Sequence, residues 1–191
     1  DKDYTKQLLE GDIHTYNQKM AGLETRDQSK TFIYALIYGG GFAKIGEIAG
    51  GSPRKGKQLV DKFMRNLPAY ARLKEVVLTS MRKRGTLRGL DGRRLRVESE
   101  HSALNFLLQS AGAIVMKKAL VILKESLDDA GVWYKFVANV HDEWQIESSA
   151  DDAILVGQLG VKAIIKAGLH FEMNCPLDGD YNVGLTWADT H

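Results

Sequence analysis

Cysteine is nearly absent: one residue, Cys175, stands in 191. No disulfide can form within the chain, and a reducing compartment is expected. No uninterrupted run approaches the roughly 18 apolar residues that span a bilayer. The first residues, DKDYTKQLLEGD, lack the apolar core of a secretory signal. Internal repeats, low-complexity tracts and long linkers are also missing, so solenoid and tethered-array architectures are excluded. The expectation is a soluble, cytoplasmic chain with no membrane partner. Apolar residues make up 44% of it, enough to fold.

The charge is unevenly placed. Residues 53–96 carry 14 Lys and Arg against three acids, Asp61, Glu75 and Asp91. Residues 1–52 balance to −1 and residues 97–191 to −8, so the overall +2 conceals a basic middle. Such a middle suits a polyanion, although a solvated Lys-rich helix face would have the same composition.

Local signals predict an α+β chain that is mostly helical. Residues 5–22 read as one helix. Thr25 and Gln28 form a capping box for the run RDQSKTFIYALIY, which Gly39–Gly41 end. Residues 42–49 suggest a short helix, GGSPRKG a turn, residues 57–66 a helix, and Pro68 the start of another reaching Arg84. Residues 85–98 read as a hairpin turning at Asp91-Gly92. A long apolar helix over 102–130 ends at Gly131. Strands follow at 133–140 and 144–147, then a last helix at 151–168 and an irregular tail.

Arg26, Lys30, Tyr34 and Tyr38 recur every fourth residue, so they lie along one drifting helical stripe. It is about 18 Å long at 1.5 Å per residue. Cations in one half and rings in the other suit a triphosphate and a base, and the helix N-terminus adds positive potential. An amphipathic helix with snorkelling cations would share the spacing. In FVANVHDEWQIE, Asp142 and Glu143 fall at a tight turn between strands, where hard oxygen ligands suit Mg²⁺. An isolated HDE triplet would otherwise be a polar turn.

RDQSKTFIYALIYGG resembles motif B of the family A DNA polymerases, Arg-x3-Lys-x3-Phe/Tyr-x3-Tyr-Gly. VHDE resembles motif C of the same family, about a hundred residues later and in the right order. The resemblance implies fingers helices and part of the palm β-sheet of a right-hand polymerase, with residues 1–84 as fingers and 85–191 as partial palm. It implies a DNA-directed DNA polymerase that adds dNTPs to a primer 3′ end by two-metal phosphoryl transfer. Arg26 and Lys30 would meet the triphosphate, Tyr34 the sugar and Tyr38 the templating base. Tyrosine at position 34 implies poor discrimination against dideoxynucleotides. Asp142 would bind Mg²⁺, with Glu143 a less essential neighbour.

GDIHT resembles the segment before the fingers helix, with His14 reaching the phosphates. LDGRRLRV resembles a DNA-contacting hairpin, with Arg93 and Arg94 on the backbone. EHSALNFLLQSAGAIVMKKA resembles the primer–template helix, where Asn105 and Gln109 would check the minor groove. His101 and His141 are further candidate DNA contacts. His101 is the residue found at this place in the phage replicative branch, which the chain resembles most. VGLTWADTH resembles the family's C-terminal end, so that end is expected to be complete.

The family's motif A, with its second metal-binding aspartate, should lie about 30 residues before GDIH. Only ten residues precede Gly11, and none spell it. The expectation is a chain inactive alone, partnered by primer–template DNA, dNTP and an N-terminal segment or subunit carrying motif A and the thumb. It would act in a bacterial or phage-infected cell. A fragment, a natural split subunit and a segment of a longer gene fit equally.

Rival readings remain. Gly51–Lys57 spells Gly-x4-Gly-Lys, but Gln58 follows where a P-loop needs Ser or Thr. A metal-dependent nuclease would use the HDE turn but not the Arg/Lys/Tyr/Tyr stripe. A non-catalytic DNA-binding subunit would share the scaffold and the basic middle.

Overall fold

The computed structural model describes residues 1–190 of the chain. Two compact units are formed, one by Asp1–Gly89 with Arg93–Leu108 and the other by Leu90–Gly92 with Gln109–His191. The division in space therefore falls within the long helix after Leu108, not after Arg84.

The first unit begins with α1 (Lys2–Glu10) and α2 (Ile13–Ala21), each N-capped by an aspartate, Asp1 and Asp12. The single helix expected over 5–22 is thus broken. Gly11 is extended, and the Asp12 side chain accepts from the His14 backbone N–H, starting a new helix where the old one would have run on. Next come α3 (Arg26–Ile37) and α4 (Phe42–Ile48). Then α5 (Pro53–Asn66) begins four residues before its expected start at Lys57. Ser52 caps it and Pro53 occupies its first turn, so most of the supposed turn is helix. Helix α6 (Pro68–Arg84) ends at Gly85 in the left-handed conformation. A short hairpin, β1 (Thr86–Arg88) and β2 (Arg94–Arg96), leads to a 3₁₀ turn over Glu100–Ser102.

Two cores hold this unit. Phe32, Leu36, Ile45, Leu59 and Phe63 centre the larger one. Phe32 meets Phe63 edge-on with ring centroids 5.3 Å apart, and Phe63 meets Tyr70 in the same way at 5.7 Å. Val77, Leu87, Leu95 and Leu104 form the second core under the hairpin. Burial pushes the Tyr70 phenol, which packs against both cores, up to about 12.

Gly56 has a packing role. A Cβ built there would lie 2.0 Å from the Phe42 carbonyl oxygen, so α4 and α5 touch backbone to backbone. The P-loop reading fails on this point. The second glycine of the Gly-x4-Gly-Lys string is buried inside α5, not in a phosphate-cradling loop.

The second unit holds most of α7 (Ala103–Asp129), then β3 (Tyr134–Val140), β4 (Glu143–Ser148), α8 (Ala153–His170) and a short terminal α9 (Trp187–Thr190). That last helix falls in a tail expected to be strand-like or irregular. Asp189 organises it by accepting from the Leu185 and Thr186 backbone N–H groups. Strands β3 and β4 are antiparallel, from Tyr134↔Ser148 to Val140↔Glu143, with an irregularity at Val137. Leu123, Leu127, Val156 and Ala163 form a core with Trp144 and Ile146 packed against it. By length and mean hydropathy, Glu100–Asp129 and Ala153–His170 are both apolar enough to cross a membrane. The sequence expectation had required an unbroken apolar run, whereas mean hydropathy tolerates interspersed polar residues.

The glycines supply a paired prediction. Gly56→Ala should cost about 2 kcal/mol or more in urea denaturation, because the obstacle is backbone. Gly112→Ala in α7, with nothing within 4 Å of the added methyl, should be neutral or stabilise by up to about 1 kcal/mol. Equal effects at the two positions would contradict the packing described.

Candidate functional site

Helix α3 explains the stripe. The capping box forms: the Thr25 hydroxyl accepts from the Gln28 N–H, and the Gln28 side chain accepts from the Thr25 N–H. Ser29, Phe32 and Leu36 then face inward at helical spacing. The stripe on the other face, Arg26, Lys30, Tyr34 and Tyr38, is left exposed, with Tyr34 52% and Tyr38 56% accessible.

Arg26 is held. Its Nε donates to Asp12 Oδ2 at 2.7 Å and its Nη2 to Asp12 Oδ1 at 3.2 Å. The guanidinium holds the Asp12 carboxyl well below the usual carboxylate range, with Thr15 and His14 donors adding to the effect. His14 lies in the first turn of α2, and its Nδ1 is enclosed without a partner among the described residues.

The loop after α3 meets the 3₁₀ turn. Gly39 has φ of +78°, and a Cβ there would lie 2.2 Å from the His101 carbonyl oxygen. The backbone at Gly39, next to Tyr38, therefore packs closely against the His101 carbonyl. Arg82 anchors the same turn through Glu100, with contacts of 2.9 and 2.6 Å that hold the Glu100 carboxyl below its ordinary value. Asn105, one turn into α7, has an enclosed Oδ1 without a partner among the described residues. Gln109 follows four residues later and is exposed.

Arg93 and Arg94 are exposed on the hairpin, as expected, and the register adds two cations that sequence reasoning missed. Arg88 pairs with Arg94 and Thr86 with Arg96, while Leu87 and Leu95 point into the core. Arg88, Arg94 and Arg96 consequently share the outer face. The T-L-R/R-L-R alternation contained that signal. Like charges placed opposite each other are unfavourable in a free hairpin and favour a polyanion on this face. Other basic residues are already engaged: Lys57 pairs with Asp61, and Lys55 Nζ donates to the Ala49 carbonyl.

In the second unit the turn between β3 and β4 is His141-Asp142, and Glu143 opens β4 rather than sharing the turn. His141 has φ of +53°, a left-handed strain of about 1 kcal/mol that histidine tolerates better than most residues. Asp142 is exposed and has no partner among the described residues. Glu143 Oε1 accepts from Gln145 Nε2 and, at 3.2 Å, from Trp187 Nε1, so α9 docks on the hairpin. Among the described residues no group of three His, Cys, Asp or Glu side chains could hold a metal ion. Asp142 has the chemistry of one hard-oxygen ligand but not of a complete cage.

The family model for DNA polymerase family A matches residues 6–189. The chain belongs to DNA polymerase family A. Among curated relatives, this family A chain is 38% identical to the DNA-directed DNA polymerase of Enterobacteria phage T3 over 99% of its length. It is 40% identical to that of Escherichia phage Phieco32 over 98% and 39% to that of Escherichia phage T7 over 99%. It spans 30–32% of the length of those phage polymerases. Among solved structures it resembles the POL domain of Pol1 from M. smegmatis, in complex with DNA primer-template and dNTP. The TM-score is 0.77 at 21% identity, covering 87% of this chain and 33% of the other. The fold is that of the fingers and palm part of a right-hand polymerase, mostly helical with small antiparallel sheets.

The paired carboxylates give a pH prediction. Asp12, Glu100, Asp128 and Asp189 are all lowered by donors in the folded chain. The folded state therefore binds fewer protons than the unfolded state near their ordinary values. Their contribution is present above about pH 4 and is lost as pH falls through the lowered values. The thermal midpoint should drop between about pH 4 and pH 2. A midpoint that holds or rises there would contradict these pairings.

Proposed function

We propose that this chain is the nucleotide-binding and primer–template-binding part of a DNA-directed DNA polymerase that extends a primer 3′ end with dNTPs. The observation that carries the reading is the exposed stripe on α3, held outward by its buried face, in a family A chain. Arg26, Lys30 and His14 would bind the triphosphate: Arg26 as a planar fork, Lys30 as a mobile point charge. Tyr34 would lie against the sugar and Tyr38 near the templating base. Lys30, within reach of the departing phosphates, would steady the charge that develops as pyrophosphate leaves.

Arg93 and Arg94, with Arg88 and Arg96 beside them, would grip the DNA backbone without reading sequence. Asn105 and Gln109 would test minor-groove acceptors that all correct base pairs share. His101 and His141 would complete the primer contacts. Asp142 would hold Mg²⁺, and Glu143, tied by Gln145 and Trp187, would steady the turn that carries it. Bound Mg²⁺ would supply Lewis acidity for the attacking hydroxyl and the leaving phosphate.

A two-metal site needs more carboxylate than Asp142 provides, so the reading includes a partner: an N-terminal segment or subunit that brings motif A and the thumb. The setting is the cytoplasm of a bacterial or phage-infected cell.

Primer extension tests this. The chain alone should extend a primer at background level. Joined to the upstream two-thirds of a related phage polymerase, it should extend processively enough to measure. In that reconstituted enzyme Asp142→Asn should cost about 10³-fold or more, as is typical of lost metal ligation and charge stabilisation. Lys30→Ala should weaken dNTP use, and Tyr34→Phe should change dideoxynucleotide selection. Wild-type behaviour of all three variants would leave only a DNA-binding role.

A further inference from the structure

Asp12 has two tasks in the folded chain. It caps α2 through the His14 N–H at 3.1 Å and the Thr15 hydroxyl at 2.7 Å. The same two oxygens receive the Arg26 guanidinium, fourteen positions along the chain. The contact is a tertiary clasp between the first turns of α2 and α3, not a local helix pair. Its neighbours differ: Lys30 has no partner among the described residues, and His14 Nδ1 is enclosed beside the clasp without one.

We infer that Asp12 is a latch on the nucleotide site: without nucleotide it occupies the Arg26 fork, and an incoming triphosphate must take the guanidinium from it. The inference rests on the proposed triphosphate role of Arg26. Asp12 opposes a polyanion in two ways. It fills the Nε/Nη2 face of the guanidinium, one of the two faces on which a phosphate could chelate, and it repels a ligand of its own sign. The pair is solvent-exposed at both partners, 52% and 44%, so water and salt weaken it and a ligand with several negative charges can displace it. Losing the clasp would also free Arg26 to wander, which disfavours binding. Removal of Asp12 is the larger effect, because it frees the Nε/Nη2 face and also takes away a carboxylate charge that opposes a polyanion at the remaining Nη donors.

Asp12 is thus a positioning residue that sets the affinity for the triphosphate and discriminates against weakly charged ligands. A ligand with one phosphate has less charge with which to win Arg26 than a ligand with three. The latch therefore widens the gap between nucleoside triphosphate and monophosphate.

Titration calorimetry of the full chain with inorganic tripolyphosphate at low salt tests the latch. Asn and Ser both cap helices without a full charge, so Asp12→Asn and Asp12→Ser should keep α2 folded, as melting curves would verify. Both variants should bind tripolyphosphate about 2- to 5-fold more tightly than wild type, within the range expected for one exposed pair. The gain should shrink to under about twofold when Arg26 is already Gln, because the effect passes through Arg26. Inorganic phosphate should gain proportionally more than tripolyphosphate, narrowing the preference between them. Unchanged or weaker binding by folded Asp12 variants, with wild type binding normally, would overturn the latch alone. If neither wild type nor variants bind tripolyphosphate, the triphosphate role of Arg26 falls and the latch falls with it.

Discussion

The edge-on contact of Phe32 with Phe63 is the constraint on which the candidate site depends. It pins α3 to α5 and fixes the rotation of α3 about its own axis. Once Ser29, Phe32 and Leu36 are inside, helical geometry leaves Arg26, Lys30, Tyr34 and Tyr38 no place but the outside. A core ring of this kind is worth about 3–5 kcal/mol on truncation, more than any surface pair in the unit. Orientation of the exposed stripe is thus set by packing, and the charges act on a frame already built. Gly39 extends the same logic beyond the helix, where only a residue without a side chain lets the backbone reach the His101 carbonyl.

Electrostatics then separates the cations by occupation. Lys55 and Lys57 serve the local structure of α5, and Arg82 serves the turn that carries His101. Arg88, Arg94 and Arg96 instead lie side by side on one face of the hairpin, and Lys30 is exposed. Arg26 is intermediate, exposed on the α3 stripe yet engaged by Asp12. Net charge over residues 53–96 would count all of these alike. Their partners divide them into cations that stabilise the fold and cations exposed on its surface.

Much of this was legible in the sequence where local chemistry governs. The Thr25–Gln28 capping box, Pro68, the four-residue stripe and Gly131 each act within a turn or two, and each stands where it was read. The elements misjudged depended on competition that composition does not reveal. Gly11 and Asp12 broke a continuous helical pattern because a side-chain cap outcompeted continuation. Pro53 started α5 early because proline at a first turn is permissive rather than disruptive. The short α9 forms around one carboxylate, Asp189, invisible to periodicity. The Asp12–Arg26 clasp and the Trp187–Glu143 contact join residues 14 and 44 positions apart, and no local pattern announces such pairs. Arg88 and Arg96 were readable in principle, since strand alternation places them, but the motif drew attention to Arg93 and Arg94.

The relatives are about three times as long as this chain, so the strands and helices here are a part of what such polymerases contain. The proposed nucleotide surface, the outward face of α3, is one the chain carries itself. Photocrosslinking tests it most directly. The chain, joined to the upstream two-thirds of a related phage polymerase and supplied with primer–template DNA and magnesium, is irradiated with an azido-substituted deoxynucleoside triphosphate, and the labelled peptide is mapped by mass spectrometry. Label concentrated between Arg26 and Tyr38, and removed by excess dNTP, is the predicted result. Competable label confined to α5, α8 or the C-terminal helix, with none on α3, would contradict it.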